Sequence, residues 1–276
     1  RVPGSRSSLL DARAAGGRVQ PVYSPLDAVQ LARESPQLQV VFLAVGFETT
    51  APATALAILQ ARQLQLVNFT LLVTHVRVLP AMELLAADPT TRVAGFLAAG
   101  HVCTVMGYDA YQAFVARYGR PVVVTGFEPT DLLSGILDCV TLLEQGTAQV
   151  TNRYTRSVQS QGNLAAQRVI EQVYEVCDQE WRGFGVIPGG GWRLREDCRT
   201  WDALHRWPDL RDIQPAAAAD PSEACPAAEV LAGRLKPTAC PHFGTRCVPE
   251  SPLGAPMVSA EGACSAYYRY GGQRTP

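Results

Sequence analysis

The stretch QVVFLAVGFETTAPATALAILQARQL, residues 39–64, decides the fold class. Its first part, Gln39–Gly46, is a short and nearly continuous apolar run, the pattern of a strand buried on both faces. The chain then turns at Gly46-Phe47-Glu48-Thr49-Thr50 and continues as Ala51–Leu64, an Ala/Leu-rich helix. Pro52 stands near the start of that helix, where a fixed φ and a missing N–H do no harm. The same order recurs further along. Phe69–Val73 (FTLLV), Val93–Leu97 (VAGFL) and Pro121–Thr125 (PVVVT) read as strands, and Pro80–Ala87 and Tyr108–Tyr118 as helices. Strands alternating with helices predict an α/β protein in which parallel sheets are flanked by helices, a Rossmann-like arrangement.

Beyond the last of these strands the period changes. Thr130–Gln145 and Asn163–Trp181 both carry apolar residues at helical spacing. In the second, Leu164, Val169, Ile170, Val173 and Cys177 form a candidate buried stripe. Trp181 is expected to close that helix and pack toward the cysteine-rich region, with Gly183 as the stop. Gln214–Pro221 (QPAAAADP) reads as a linker.

Composition narrows the function. Of 276 residues, 47% are hydrophobic, enough for a real core, and the net charge of -1 gives no reason to expect a nucleic-acid surface. No stretch approaches the roughly 18 apolar residues that span a membrane, and no secretory signal opens the chain. A cytoplasmic protein is the expectation. There is no G-x-G-x-x-G, Walker A or G-x-S-x-G sequence, so neither a standard nucleotide site nor a hydrolase elbow is indicated.

The chain has 8 cysteines, and in a long chain without an export signal these point to metal before disulfides. Cys103, Cys139, Cys177 and Cys198 are scattered and read as small buried hydrophobes. Cys225, Cys240, Cys247 and Cys264 follow the spacing C-x14-C-x6-C-x16-C, each in turn-prone sequence and mostly beside proline. This tail has little apolar sequence with which to fold and needs a staple. Four thiolates suit Zn²⁺ or a [4Fe–4S] cube. Wide spacing without C-x2-C knuckles leans toward the cube but barely separates the two, and His242 is a rival ligand.

Three strand ends carry polar residues after a glycine: Glu48, Thr49 and Thr50 after Gly46, His101 after Gly100, and Glu128 after Gly126. His75 stands at the tip of the second strand. In open parallel sheets, ligands bind beyond the carboxyl ends of the strands. If these strands are parallel, Glu48, His101 and Glu128 fall on one edge, and His75 joins them. The plainer alternatives are that Glu48 and Glu128 cap the following helices and that the histidines are packed.

Several segments together carry a family resemblance: RVPGS (1–5), VYSPLDA (22–28), GFETTAP (46–52), GHV (100–102), GFEPTD (126–131), WRGFG (181–185) and CPHFGTRCVPESPLGAPMVSAEGACSAYYRY (240–270). The chain resembles the HypD family of hydrogenase maturation proteins over essentially its whole length. That resemblance implies two α/β domains and a smaller domain holding a [4Fe–4S] cluster, on Cys225, Cys240, Cys247 and Cys264. It implies a scaffold for the Fe(CN)2CO centre of [NiFe] hydrogenase, carrying that iron fragment transiently. The implied partners are a small HypC-type chaperone and a HypE-type cyanide donor. Glu48, Thr49, Thr50, His101 and Glu128 would line the cleft. The expected division is 1–33 (remnant of a first α/β domain), 34–155 (second α/β domain), 156–221 (helical connection and return) and 222–276 (cluster subdomain). A stand-alone iron–sulfur redox enzyme and a structural zinc protein are the alternatives.

Two positions depart from the family pattern. Ala227 stands where a further cysteine is usual, and Cys103 where serine is common after GHV. Family members also begin with CGGH-like and CPVC-like motifs that precede RVPGS, and a chain without them is expected to be inactive in maturation.

Overall fold

The computed structural model describes residues 7–181, 184–212 and 225–271. The opening RVPGS, Gly183 and the expected linker Gln214–Pro221 lie outside the described residues. In chain order the elements are α1 (Leu9–Ala14), α2 (Pro25–Glu34), β1 (Val40–Gly46), α3 (Ala51–Gln63), β2 (Phe69–His75), α4 (Val78–Ala87), β3 (Phe96–Ala99), α5 (Gly100–Met106), α6 (Ala110–Tyr118), β4 (Val122–Thr125), α7 (Pro129–Glu144) and β5 (Val150–Asn152). There follow α8 (Leu164–Val173), β6 (Tyr174–Trp181), β7 (Gly185–Leu194), α9 (Ala203–Arg206), α10 (Ala227–Leu231), α11 (Ala255–Val258) and α12 (Ala263–Tyr270). No helix among the described residues is long and apolar enough to cross a membrane.

Local sequence accounts for the starts. In VYSPLDA, the Ser24 hydroxyl accepts from Leu26 N at 3.2 Å, and Ser24 N donates to the Asp27 carboxylate at 2.9 Å. Pro25 takes the first helical position, so α2 begins with its orphan donors served.

The fold is α/β with parallel sheets flanked by helices, but there are two such sheets. β1 pairs with β2 in one, from Val40 opposite Phe69 to Gly46 opposite His75. β3, β4 and β5 form the other, with Ala99 opposite Thr125. Each sheet has its own core. Phe69, Leu71 and Ala44 of the first pack with Ile58, Ala55 and Ala61 of α3, Val29 of α2, and Tyr174, Trp192 and Cys198 from later in the chain. Val122 and Val124 of the second pack with Phe114, Tyr111 and Cys103, while Val123 meets Cys139 and Leu142 of α7 on the other face.

Asn163–Trp181 is not one helix. The helix stops at Val173, and Tyr174–Trp181 pairs antiparallel with Gly185–Leu194. Ile170 and Val173 are buried as the stripe requires, but Leu164 is 47% exposed and Cys177 lies on the strand. Tyr, Val and Trp alternate well in a pleated strand, and the partner that pays for β6 arrives only with β7. Gly191 lets that hairpin close on β2, since a Cβ there would meet the His75 carbonyl oxygen at 2.7 Å. Trp181 ends this strand, not a helix. Its ring stands 6.1 Å from Phe47 and its indole N–H donates to Gly190 O, so it packs at the tip of β1.

Candidate functional site

The polar strand tips do not share one sheet edge. Glu48 and His75 end the first sheet, and His101 and Glu128 follow strands of the second. The two ends approach each other where Glu48 comes within electrostatic reach of Cys103 on α5.

Glu48 is 5% exposed. One oxygen accepts from Val78 N at 2.8 Å, so it caps α4 and not the helix that follows it in sequence. The other is buried without a hydrogen-bond partner among the described residues. Burial raises its pKa, because a desolvated carboxylate favours its neutral form. Cys103 is fully buried, and its thiol is pushed up to about 11, chiefly by burial. It is therefore protonated at neutral pH, which makes it a poor nucleophile.

His75 does not line a cleft. It is fully buried, with Nε2 2.9 Å from the Thr54 hydroxyl and Nδ1 3.4 Å from that of Thr50. Tyr174 packs edge-on against it and donates its hydroxyl to Thr54. Burial lowers the His75 pKa to about 4. Thr50 begins α3 but its hydroxyl donates to Phe47 O, and Thr49 is half-buried beside it.

At the second sheet, His101 is exposed and its ring lies 4.7 Å from that of Phe127. Glu128 holds the N-cap position of α7 without a side-chain cap bond. Its carboxylate is 70% exposed and lies 3.1 Å from Arg156. Sequence reading missed the group behind it. Asp131 takes Arg156 in a two-pronged pair at 2.8 and 2.6 Å, and the guanidinium covers the Tyr154 ring at 4.5 Å. Asp131 sits within GFEPTD, but its partner lies 25 residues on, beyond the reach of any local pattern.

The four clustered cysteines do come together. Cys225, Cys240, Cys247 and Cys264 line one pocket, with Val230, Phe243 and Met257. Each is presented by a short element. Cys225 precedes α10, Cys240 closes the single turn Pro237–Ala239, Cys247 lies in a turn where its N–H donates to His242 O at 2.9 Å, and Cys264 starts α12. Cys247 Sγ accepts from Leu253 N at 3.4 Å. The Cys264 thiol is pushed up to about 11 by burial and then by its three sister cysteines. The apolar core around them is small: among the described residues, Cys247, Met257 and Cys264 form its buried cluster, with Val230, Phe243 and Leu253 against them. Among the described residues, no three His, Cys, Asp or Glu side chains converge on a position for a single metal ion. His242 lines the same pocket and is buried.

This small unit is fastened to α4. Arg234 pairs with Glu229 and with Asp88 at the end of that helix, and Arg92 N donates to Ala232 O at 2.8 Å.

The sequence matches the family described as HypD, "Hydrogenase formation hypA family", over residues 1–271. It is 46% identical over 275 residues to the hydrogenase maturation factor HypD of Rhodobacter capsulatus, covering 99% of this chain and 73% of that protein. It is 44% identical over 281 residues to the Azotobacter vinelandii factor of the same name, covering 99% and 73%. The Escherichia coli K12 factor is 44% identical over 271 residues, covering 98% and 71%.

Proposed function

Because the chain belongs to the HypD family, we propose that it acts in hydrogenase maturation as a scaffold on which the Fe(CN)2CO centre of [NiFe] hydrogenase is assembled, and that it holds a [4Fe–4S] cluster on Cys225, Cys240, Cys247 and Cys264. The observation that carries the cluster assignment is the convergence of four thiols on one pocket. Four thiols around one pocket match the four-cysteine ligand set of such a cube. The four cysteines supply the sulfur donors a cube requires, with His242 beside them in the pocket, and the Leu253 N–H on Cys247 Sγ is the kind of hydrogen bond that tunes such clusters. Bound there, the group would supply one-electron transfer.

The chain's own residues do the rest. Short turns present the thiols, and Met257, Phe243 and Val230 line the pocket beside them. At the strand tips of the two sheets, Thr49, Thr50, His101, Glu128 and the buried Glu48 are the residues assigned here to the iron fragment or the docking partner. Glu48 Oε2, buried and without a partner among the described residues, is the group there with unspent hydrogen-bonding capacity. A small HypC-type chaperone and a HypE-type cyanide donor are the proposed partners, and the cytoplasm is the proposed compartment.

Iron and sulfide analysis of anaerobically purified protein, with its visible spectrum, tests the reading. About four irons and four sulfides per chain are expected. Stoichiometric zinc without sulfide would overturn the cluster. Failure to co-purify with a co-expressed HypC-type chaperone would count against the scaffold.

A further inference from the structure

Gly254 adopts φ -143° and ψ 162°, an extended conformation open to any residue. Its lack of a side chain is therefore not a backbone requirement. The requirement is space. A Cβ built on Gly254 would stand 2.2 Å from Cys225 Sγ and 3.0 Å from Cys225 Cβ, far inside contact distance. Both residues line the cysteine pocket. The same short loop, which doubles back through the paired Val248 and Ser251, also brings Leu253 N to Cys247 Sγ.

We propose that Gly254 is a positioning residue for the metal centre: it leaves the space that lets the Cys225 sulfur face the other three. This rests on the iron–sulfur reading above and deepens it. A methyl group at 254 overlaps the Cys225 sulfur and presses on its Cβ, so the Cys225 side chain must turn about χ1 and shift away from its place facing the other thiols. Cys225 is then lost as a ligand. The iron it would hold then leaves as Fe²⁺, its thiolate takes a proton, and [4Fe–4S]²⁺ becomes [3Fe–4S]⁰ with no electron moved.

The test compares the full chain, reconstituted anaerobically, as wild type, Gly254→Ala, Cys225→Ala and the double variant. Iron-to-sulfide ratio, visible spectrum and melting temperature are read for each. Gly254→Ala is expected to fall from about 4:4 toward about 3:4, matching Cys225→Ala. The double variant should be no worse than Cys225→Ala alone in ratio or melting temperature, because the alanine then has far less to displace. A Gly254→Ala protein with the wild-type ratio and spectrum would overturn the proposal. So would an equal drop in melting temperature with and without the Cys225 sulfur, which would mark the glycine as a plain folding requirement. A wild-type chain without iron and sulfide would remove the iron–sulfur reading itself, and this inference with it.

Discussion

His75 occupies a strand tip, the usual address of a catalytic group, yet its ring faces inward. Thr50 and Thr54 serve its nitrogens and Tyr174 closes over it. The cost of charging it appears as acid sensitivity. With a folded pKa of about 4 against 6.5 in the open chain, the unfolded state binds more protons between those values. Stability contributed by the neutral ring is therefore complete above pH 6.5 and is lost as pH falls toward 4. At about 1.4 kcal/mol per pH unit, the whole difference amounts to roughly 3 kcal/mol. Urea unfolding of wild type and His75→Asn at pH 7 and pH 4.5 checks this: the wild type should lose more stability than the variant on acidification, and parallel losses would refute it. The sequence could not separate this histidine from His101. Both follow apolar runs, and only the three-dimensional packing decides which side of the strand is inside. The cysteines were more legible, because their chemistry names a shared destination whatever the path between them.

At the scale of elements, apolar runs of strand length identified β1, β2 and β4 closely. β4 is buried throughout, whereas β1 buries Ala44 and leaves Val41, Leu43 and Val45 exposed, so it is not covered on both faces as its apolar run suggested. The third came out displaced, at Phe96–Ala99, and β6 was hidden inside a helical pattern that β7 overrode. Alternation of strands and helices also says nothing about which strands are neighbours, so the split into two sheets was not readable. α3 shows how the first sheet is held. Its alanines at 51, 55, 57 and 61 let it lie close, and Ile58 is its large, fully buried side chain. Ile58→Ala leaves a void that small neighbours cannot fill, and should cost about 2–5 kcal/mol, read as a lower urea midpoint with unchanged slope. A loss below about 1 kcal/mol would show that α3 can settle inward.

Across the whole molecule, the two larger cores and the cysteine unit differ in what sustains them. The sheets have continuous apolar cores. Among the described residues, the apolar cluster at the cysteines is the small group Cys247, Met257 and Cys264, and the unit is pinned to α4 through Arg234. Such a unit buries little apolar surface, and on the proposed iron–sulfur reading it depends on the group its thiols would hold. Hydrogen exchange followed by mass spectrometry, on the iron-loaded protein and after chelation of its iron, tests that dependence most directly. Protection across residues 225–271 should collapse on chelation while β1, β2, β3 and β4 keep theirs. Undiminished protection of the cysteine unit without metal would contradict the account.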